Sequence, residues 1–207
     1  MHEPSQEEWY SLYQAGQLER LAESMSTVLF EEVTCESIRE AVAQTPGTWY
    51  AILDACDAPN VLALVDSLTN AQESDPKSER LVQSMYSGKA AQQYRAIAPY
   101  LFTLTPDLLD WIVADLAGQP WGFLFHAELD FKSARKHFRN FVTVLDPQGE
   151  KMLFRFYDPR VLKMFVESAN EQENQSFFGS CSQIVIPEGD RFLRLDHSAG
   201  ADAFLKE

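Results

Sequence analysis

Residues 121–127 read WGFLFHA, and this stretch decides the fold. It is apolar almost throughout and has the length of a strand rather than of a helix, which predicts a central place in a sheet. Gly122, directly after Trp121, leaves room for another backbone to approach closely. Working toward the N-terminus, PDLLDWIVADLA (106–117), YLFTL (100–104), NVLALVDSL (60–68) and WYAILD (49–54) alternate amphipathic helices with short apolar strands. That alternation predicts a layered α/β domain with helices packed on a sheet. The polar stretch AQESDPKSE (71–79) contains a proline and reads as an exposed loop.

Working toward the C-terminus, FKSARKHFRNF (131–141) has helical spacing, with Phe131, Ala134, Phe138 and Phe141 on its apolar stripe and Lys132, Arg135, Lys136 and Arg139 elsewhere. The next two strands, VTVLD (142–146) and MLFRFYD (152–158), are joined through Asp146, Pro147, Gln148 and Gly149. Proline early and glycine late suit a tight turn, so these strands are expected to be antiparallel neighbours. A helix starts at Pro159, a strand follows at IVI (184–186), and EGD turns the chain into the final strand FLRL (192–195).

Upstream of TPG (45–47) the texture is helical. A short helix is expected around Trp9 to Tyr13, then QLERLAESMSTVLF, with Leu18, Leu21, Ala22, Met25 and Leu29 at helical steps, then SIREAVA. The fold class is therefore a mixed α/β (α+β) domain whose mixed, partly antiparallel sheet carries packed helices, preceded by an N-terminal helical segment. The divisions fall at 1–47, 48–198 and a tail at 199–207.

With 45% hydrophobic residues, 14 Phe, 7 Tyr and 4 Trp, the chain can bury a core large enough to offset the entropy of ordering it. No run approaches the roughly 18 apolar residues that cross a bilayer, and the start MHEPSQEEWY lacks the features of a signal peptide, so a cytoplasmic location is expected. Cys35, Cys56 and Cys181 are odd in number and far apart, which suits reduced, packed thiols rather than a disulfide framework or zinc site.

A net charge of −14 argues against a nonspecific grip on nucleic acid. The charge is unevenly placed. Residues 1–80 hold fifteen Asp or Glu against four Lys or Arg, whereas residues 130–163 hold four against eight. Such poles can steer a charged partner, or can simply neutralise each other across the molecule.

Enzyme motifs are absent: the chain has no GxSxG elbow, Walker loop, GxGxxG turn or HExxH helix. For a metal, His126, Glu128 and Asp130 are the residues to consider, but alternate residues share a face only on a strand, and this strand is expected to end near Ala127. Asp54 and Asp57 could do acid and base work, although an aspartate after a strand commonly forms a turn or caps a helix. His137 sits on the basic helix and His197 in the expected tail. No cofactor is expected.

The densest constellation is LFRFYDPRVL (153–162). Read as a strand, it places Phe154 and Phe156 on one face and Leu153, Arg155 and Tyr157 on the other, so Arg155 needs a partner for its charge. Asp158 can cap the following helix, with Pro159 in its first turn, and can pair with Arg155 or Arg160. This is a corner holding strand to helix, an anchor for a bound segment, or both, since Arg and Tyr are favoured at binding hot spots.

The series WYAILDA, IAPYLFTL, GQPWGFLF, SARKHFRNFVTVLDPQGEKMLFRFYDPRVL and QSFFG resembles the conserved-domain family of type VI secretion effector chaperones, or adaptors. The resemblance spans roughly residues 49–190, with RFYDPRVL its most specific part, and leaves the N-terminal helical stretch outside. It implies a non-enzymatic cytoplasmic helper that binds a secreted effector toxin and assists its loading onto the spike protein. On that basis Arg155, Tyr157, Asp158 and Arg160 are expected to organise the partner-binding surface, supported by Trp121 and Phe178. Two other readings stand beside it: an immunity protein that neutralises a toxin, and a metal-dependent hydrolase using acids such as Asp54, Asp130 and Asp158.

Overall fold

A computed structural model describes residues 30–75, 79–145 and 149–196. The expected helix around Trp9, all of QLERLAESMSTVLF except Phe30, the tail at 199–207, and the 146–148 turn lie outside these residues. The chain runs through β1 (Phe30–Val33), α1 (Cys35–Gln44), β2 (Thr48–Asp54), α2 (Val61–Ser74) and β3 (Val82–Ser84). Short helix α3 (Lys89–Gln93) and a 3-10 turn (Arg95–Ile97) lead to β4 (Pro99–Thr103), α4 (Pro106–Asp115), β5 (Gly122–Ala127) and α5 (Phe131–Arg139). The remainder is β6 (Thr143–Leu145), β7 (Lys151–Leu153), α6 (Pro159–Ser168), α7 (Glu171–Phe178), β8 (Cys181–Glu188) and β9 (Arg191–Asp196).

Seven strands form one sheet in the order β1-β9-β8-β5-β2-β4-β3, and β6 pairs with β7 in a separate hairpin. The α+β class is as the sequence predicts. The sheet is not mixed, however: every pairing among the described strands is antiparallel. Alternating helices and strands suggest parallel crossovers, but here β2 accepts antiparallel neighbours on both sides, β4 and β5.

Period-two alternation divides the core between the sheet's faces. Tyr50, Ile52, Phe123 and Phe125 point toward α5, α6 and α7, meeting Phe138, Leu162, Val166 and Phe177. Trp49, Ala51, Leu53 and Leu124 point to the other face, meeting Ile38 of α1, Val61 and Val65 of α2, and Leu109 and Ile112 of α4. With helices on both faces, β5 is buried at every position, which is why WGFLFHA is apolar without alternation.

Gly122 fills the role its place predicts. Its φ is +139°, and an added Cβ would lie 1.8 Å from the carbonyl oxygen of Ile52. Gly47, which ends the TPG turn at φ +109°, is also crowded, because a Cβ there would meet His126 Nε2 at 2.5 Å.

Three local expectations are corrected. Residues 30–33, read as helix, form edge strand β1, where Glu31 and Glu32 pair across the strands with Arg194 and Arg191. Helix α2 continues through Ser74, so much of the expected 71–79 loop is helical. The strand expected over 152–158 ends at Leu153, so Arg155 lies beyond it, in the approach to α6.

Candidate functional site

The site forms where β2 ends and the chain turns into α6. The backbone amide of Asp54 donates to Trp121 O (2.8 Å), and its carbonyl accepts from Ala58 N (2.9 Å), so a turn closes directly after the strand. The Asp54 carboxylate cannot reach solvent, with 1% of its side chain exposed. Its Oδ1 accepts from the Cys56 amide at 3.0 Å, which leaves Oδ2 for an external donor.

That donor comes from the far side of the sequence. After β7, a turn closed by Asp158 N donating to Arg155 O (2.9 Å) buries Phe156 and leaves Arg155 half-exposed. Arg155 Nη2 donates to Asp54 Oδ2 (2.6 Å) and Asp57 Oδ2 (3.1 Å). Asp158 caps α6, accepting from the Arg160 amide (3.0 Å), and also grips the Arg160 side chain, from Nε (2.9 Å) and Nη2 (2.6 Å). Arg160 Nη2 lies 3.7 Å from Asp57, so the charges form one chain: Asp54, Arg155, Asp57, Arg160, Asp158.

Burial raises the Asp54 carboxyl above the usual carboxylate range, and the hydrogen bond from Arg155 offsets this only in part. Burial acts upward on Asp158 too, but there the hydrogen bonds and charge of Arg160 outweigh it and hold the carboxyl below its ordinary range. The Arg155 guanidinium is pushed up by its bond to Asp54.

Tyrosines extend the site. The Arg155 guanidinium carbon lies 5.7 Å from the centroid of the Tyr157 ring, and the Tyr157 hydroxyl lies 3.2 Å from that of Tyr86. Tyr86 meets Tyr94 edge-on at 6.5 Å. Tyr94 and Ile97 are 44% and 50% exposed, so apolar surface reaches solvent beside the charged chain. Two hollows flank the network. One, of about 430 Å³, is lined by Arg160, Lys163, Pro120 and Glu188; the other, of about 340 Å³, by Asp57, Pro59, Asn60 and Leu62, with Gln119 shared between them.

Of the residues expected at a binding surface, the structure brings Arg155, Tyr157, Asp158 and Arg160 together. Only the two arginines present much side chain to solvent, since Tyr157 and Asp158 are 3% and 4% exposed. Trp121 touches the site through its carbonyl and is otherwise buried in the core beside α4, while Phe178 is buried in the core on the opposite face. Sequence reasoning missed Tyr86, Tyr94 and Ile97, and did not join Asp54 and Asp57 to Arg155. The one available signal was the expectation that Arg155 would need a partner for its charge.

Of the acids and histidines considered for metal, Asp54 and Asp158 are engaged with arginines in the charged chain, and His126 and Asp130 have other partners. His126 is buried, with Nε2 donating to Pro46 O (2.7 Å) and Nδ1 facing Ser182 Oγ (2.6 Å). Asp130 caps α5 through the Ser133 amide at 2.7 Å. It sits near the Thr48 end of β2, and at about 3.3 Å per residue the strand carries Asp54 about 20 Å away at the other end. Among the described residues, no group of three or more His, Cys, Asp or Glu side chains is placed to hold a metal ion. Nor is any described helix long and apolar enough to cross a membrane.

No curated protein and no solved structure matches the chain. A family model does match, that of the "Domain of unknown function (DUF4123)", over residues 49–176. The matched span holds β2 through most of α7, including every residue of the charged chain from Asp54 to Arg160. Since it covers more than half of the sequence, the chain belongs to the DUF4123 family.

Proposed function

We propose that the chain is a non-enzymatic cytoplasmic adaptor that binds a type VI secretion effector and helps load it onto the spike protein. The observation that carries this reading is membership of the DUF4123 family, whose matched span includes the RFYDPRVL segment by which the sequence resembles effector adaptors. The site's chemistry supports it. Its acids are engaged with arginines, and its solvent face combines two arginines and Tyr94, residue types that anchor protein interfaces, with the exposed apolar side chain of Ile97.

The test is coexpression with candidate type VI effector and spike proteins from the same cell, followed by recovery on a tag carried by the adaptor. The native chain is expected to retain both proteins, and Arg160→Glu to lose the effector by about tenfold or more while keeping the native circular dichroism spectrum. Undiminished capture by a folded Arg160→Glu chain removes Arg160 from the interface. Failure of the native chain to hold either protein removes the adaptor reading. If the chain alone rescues cells from the toxin, it is an immunity protein instead.

A further inference from the structure

The cations of α5 stand apart from the site described above. Among the described residues, Arg39, Arg95, Arg155, Arg160, Arg191 and Arg194 each hold a carboxylate within 4.0 Å. In a chain of net charge −14 that is the expected state of an arginine. Among the described residues, Lys132, Arg135, Lys136 and Arg139 have no carboxylate this close, and nor do Arg80 and Lys89, but only on α5 do four such cations share one helix, although acids outnumber bases nearly two to one in the chain.

Their spacing puts them along one side of the helix, since residues three, four and seven apart are neighbours there. The opposite side buries Ala134 and Phe138. Cations in the last turn complement the helix dipole, but this reaches only one turn and does not account for Lys132 or Arg135. Arg135 is a structural member: its Nε and Nη2 donate to Ser84 O (2.8 Å) and Tyr86 O (2.9 Å). Burial, then the charges of Arg139 and Arg80, push its guanidinium below the usual arginine range, so like charges act on one another along this face. Lys132, Lys136 and Arg139 are exposed.

This face is continuous with the arginine and tyrosine site. Arg135 and Arg139 together hold the segment from Ser84 to Ser87, the latter through Arg139 Nη2 and Ser87 Oγ (2.8 Å). The same segment carries Tyr86, whose hydroxyl meets Tyr157. Below the N-terminal end of α5, a cleft of about 800 Å³ is lined by Tyr50, Phe131, Lys132, Arg135 and Arg80, with Glu79, Glu128 and Asp130 at the same end. The unopposed positive charge therefore lies toward Lys136 and Arg139.

We infer that Lys136 and Arg139, with Lys132 at the edge of the patch, take up an acidic segment of the partner protein whose remainder rests on the Arg155 and Arg160 surface. This deepens the adaptor reading and rests on it. Charge complementarity selects the occupant: a row of carboxylates supplies the counterions that the described residues do not place beside these cations.

The test uses the full chain and a fluorescein-labelled peptide of alternating Glu and Leu, read by fluorescence anisotropy. A Gln-for-Glu peptide and a single-stranded oligonucleotide are the comparison probes. The acidic peptide is expected to bind, to weaken about tenfold or more in Lys132→Glu/Lys136→Glu/Arg139→Glu, and to weaken as salt rises toward about 0.3 M. The Gln peptide is expected not to bind, and Arg39→Glu/Arg95→Glu, which alters cations already paired, to bind like the native chain. Equal binding by the triple variant, or tighter binding of the oligonucleotide than of the peptide, overturns the inference. So does a large gain in peptide affinity on changing Glu3, Glu7, Glu8, Glu19 and Glu23 to Gln, because the face would then be covered by the chain's own acidic start. A triple variant that still captures the effector also overturns it while leaving the adaptor reading intact. Peptide binding that persists in a chain unable to hold any effector separates the opposite case.

Discussion

Arg155 Nη2 lies 2.6 Å from Asp54 Oδ2, across 101 residues of sequence, and it is the principal charge facing a carboxylate that solvent cannot reach. The two partners have unequal stakes. Arg155 is half-exposed and can exchange its partner for water, whereas Asp54 cannot. The cost of breaking the pair should therefore fall on the acid.

Arg155→Met is expected to destabilise the protein by about 3 kcal/mol near pH 7, because removing one partner leaves an uncompensated buried charge. The direction with pH follows from Asp54. Its carboxyl is raised by burial even with Arg155 present and rises further without it. Stability linked to a raised carboxyl is present below the unfolded range of about 4 and is lost as pH rises through the folded value. The gap between variant and native chain should therefore be small near pH 4 and widen toward pH 7. Urea midpoints across this range measure it, and a pH-independent gap would show that Asp54 is not the group left stranded.

Gly122→Ala tests the close approach of β5 to β2. The residue adopts φ +139°, and the new methyl would stand 1.8 Å from Ile52 O, a backbone atom held in the sheet's centre. Strain and displaced pairing together are expected to cost more than about 3 kcal/mol, lowering the melting temperature by about 10 °C or leaving the chain insoluble. A melting temperature within about 2 °C of the native value would mean that the two strands separate easily.

Gly122 also shows what the sequence could disclose. A glycine inside an apolar run announces close backbone approach, and Asp158 before Pro159 announces a capped helix; both are local patterns, and both stand in the structure. Strand β1 carried no such signal, because Phe-Glu-Glu-Val gains its sense from Arg191 and Arg194, about 160 residues later. Helix α7, EQENQSFF, went unnoticed for a different reason: most of its residues are polar, and its Asn170 capping box lies ahead of a run with little apolar periodicity. Sheet direction was hidden as well, since pairing depends on how connections return and not on strand composition. At the site, a partner for Arg155 was expected because Arg155 was read as lying inside an apolar strand; the structure supplies the partner but puts Arg155 half-exposed beyond the strand, so the need belongs to Asp54, whose proximity across 101 residues is a property of topology.

The three thiols should separate by accessibility. Cys56 is exposed, Cys35 intermediate and Cys181 buried. Burial alone pushes the Cys181 thiol up to about 12, which suppresses the reactive thiolate as well as blocking access. Titration with Ellman's reagent under native conditions is expected to give one fast and one slower reaction, with Cys181 reacting only on adding denaturant. Identification of the modified cysteines by peptide mapping checks the order, and early labelling of Cys181 would mean that the β5 and β8 region opens readily.

Asp158 should respond to pH in its own window. Its carboxylate is held below the ordinary range by Arg160 against the opposing effect of burial, and it caps α6 through the Arg160 amide. A depressed carboxyl contributes stability that is present above the unfolded range of about 4 and is lost as pH falls through the folded value. Asp158→Ala removes both cap and ion pair and is expected to cost about 2 kcal/mol near pH 7. Asp158→Asn keeps an acceptor for the Arg160 amide while losing the charge, so it should fall between the two. The deficit of Asp158→Ala should shrink below about pH 4 and stay level between about pH 5 and 7, where the Arg155→Met deficit is still growing. Parallel denaturation series on the two variants distinguish the carboxylates: if both deficits follow the same pH profile, Asp54 and Asp158 titrate as one coupled unit through Arg155, Asp57 and Arg160.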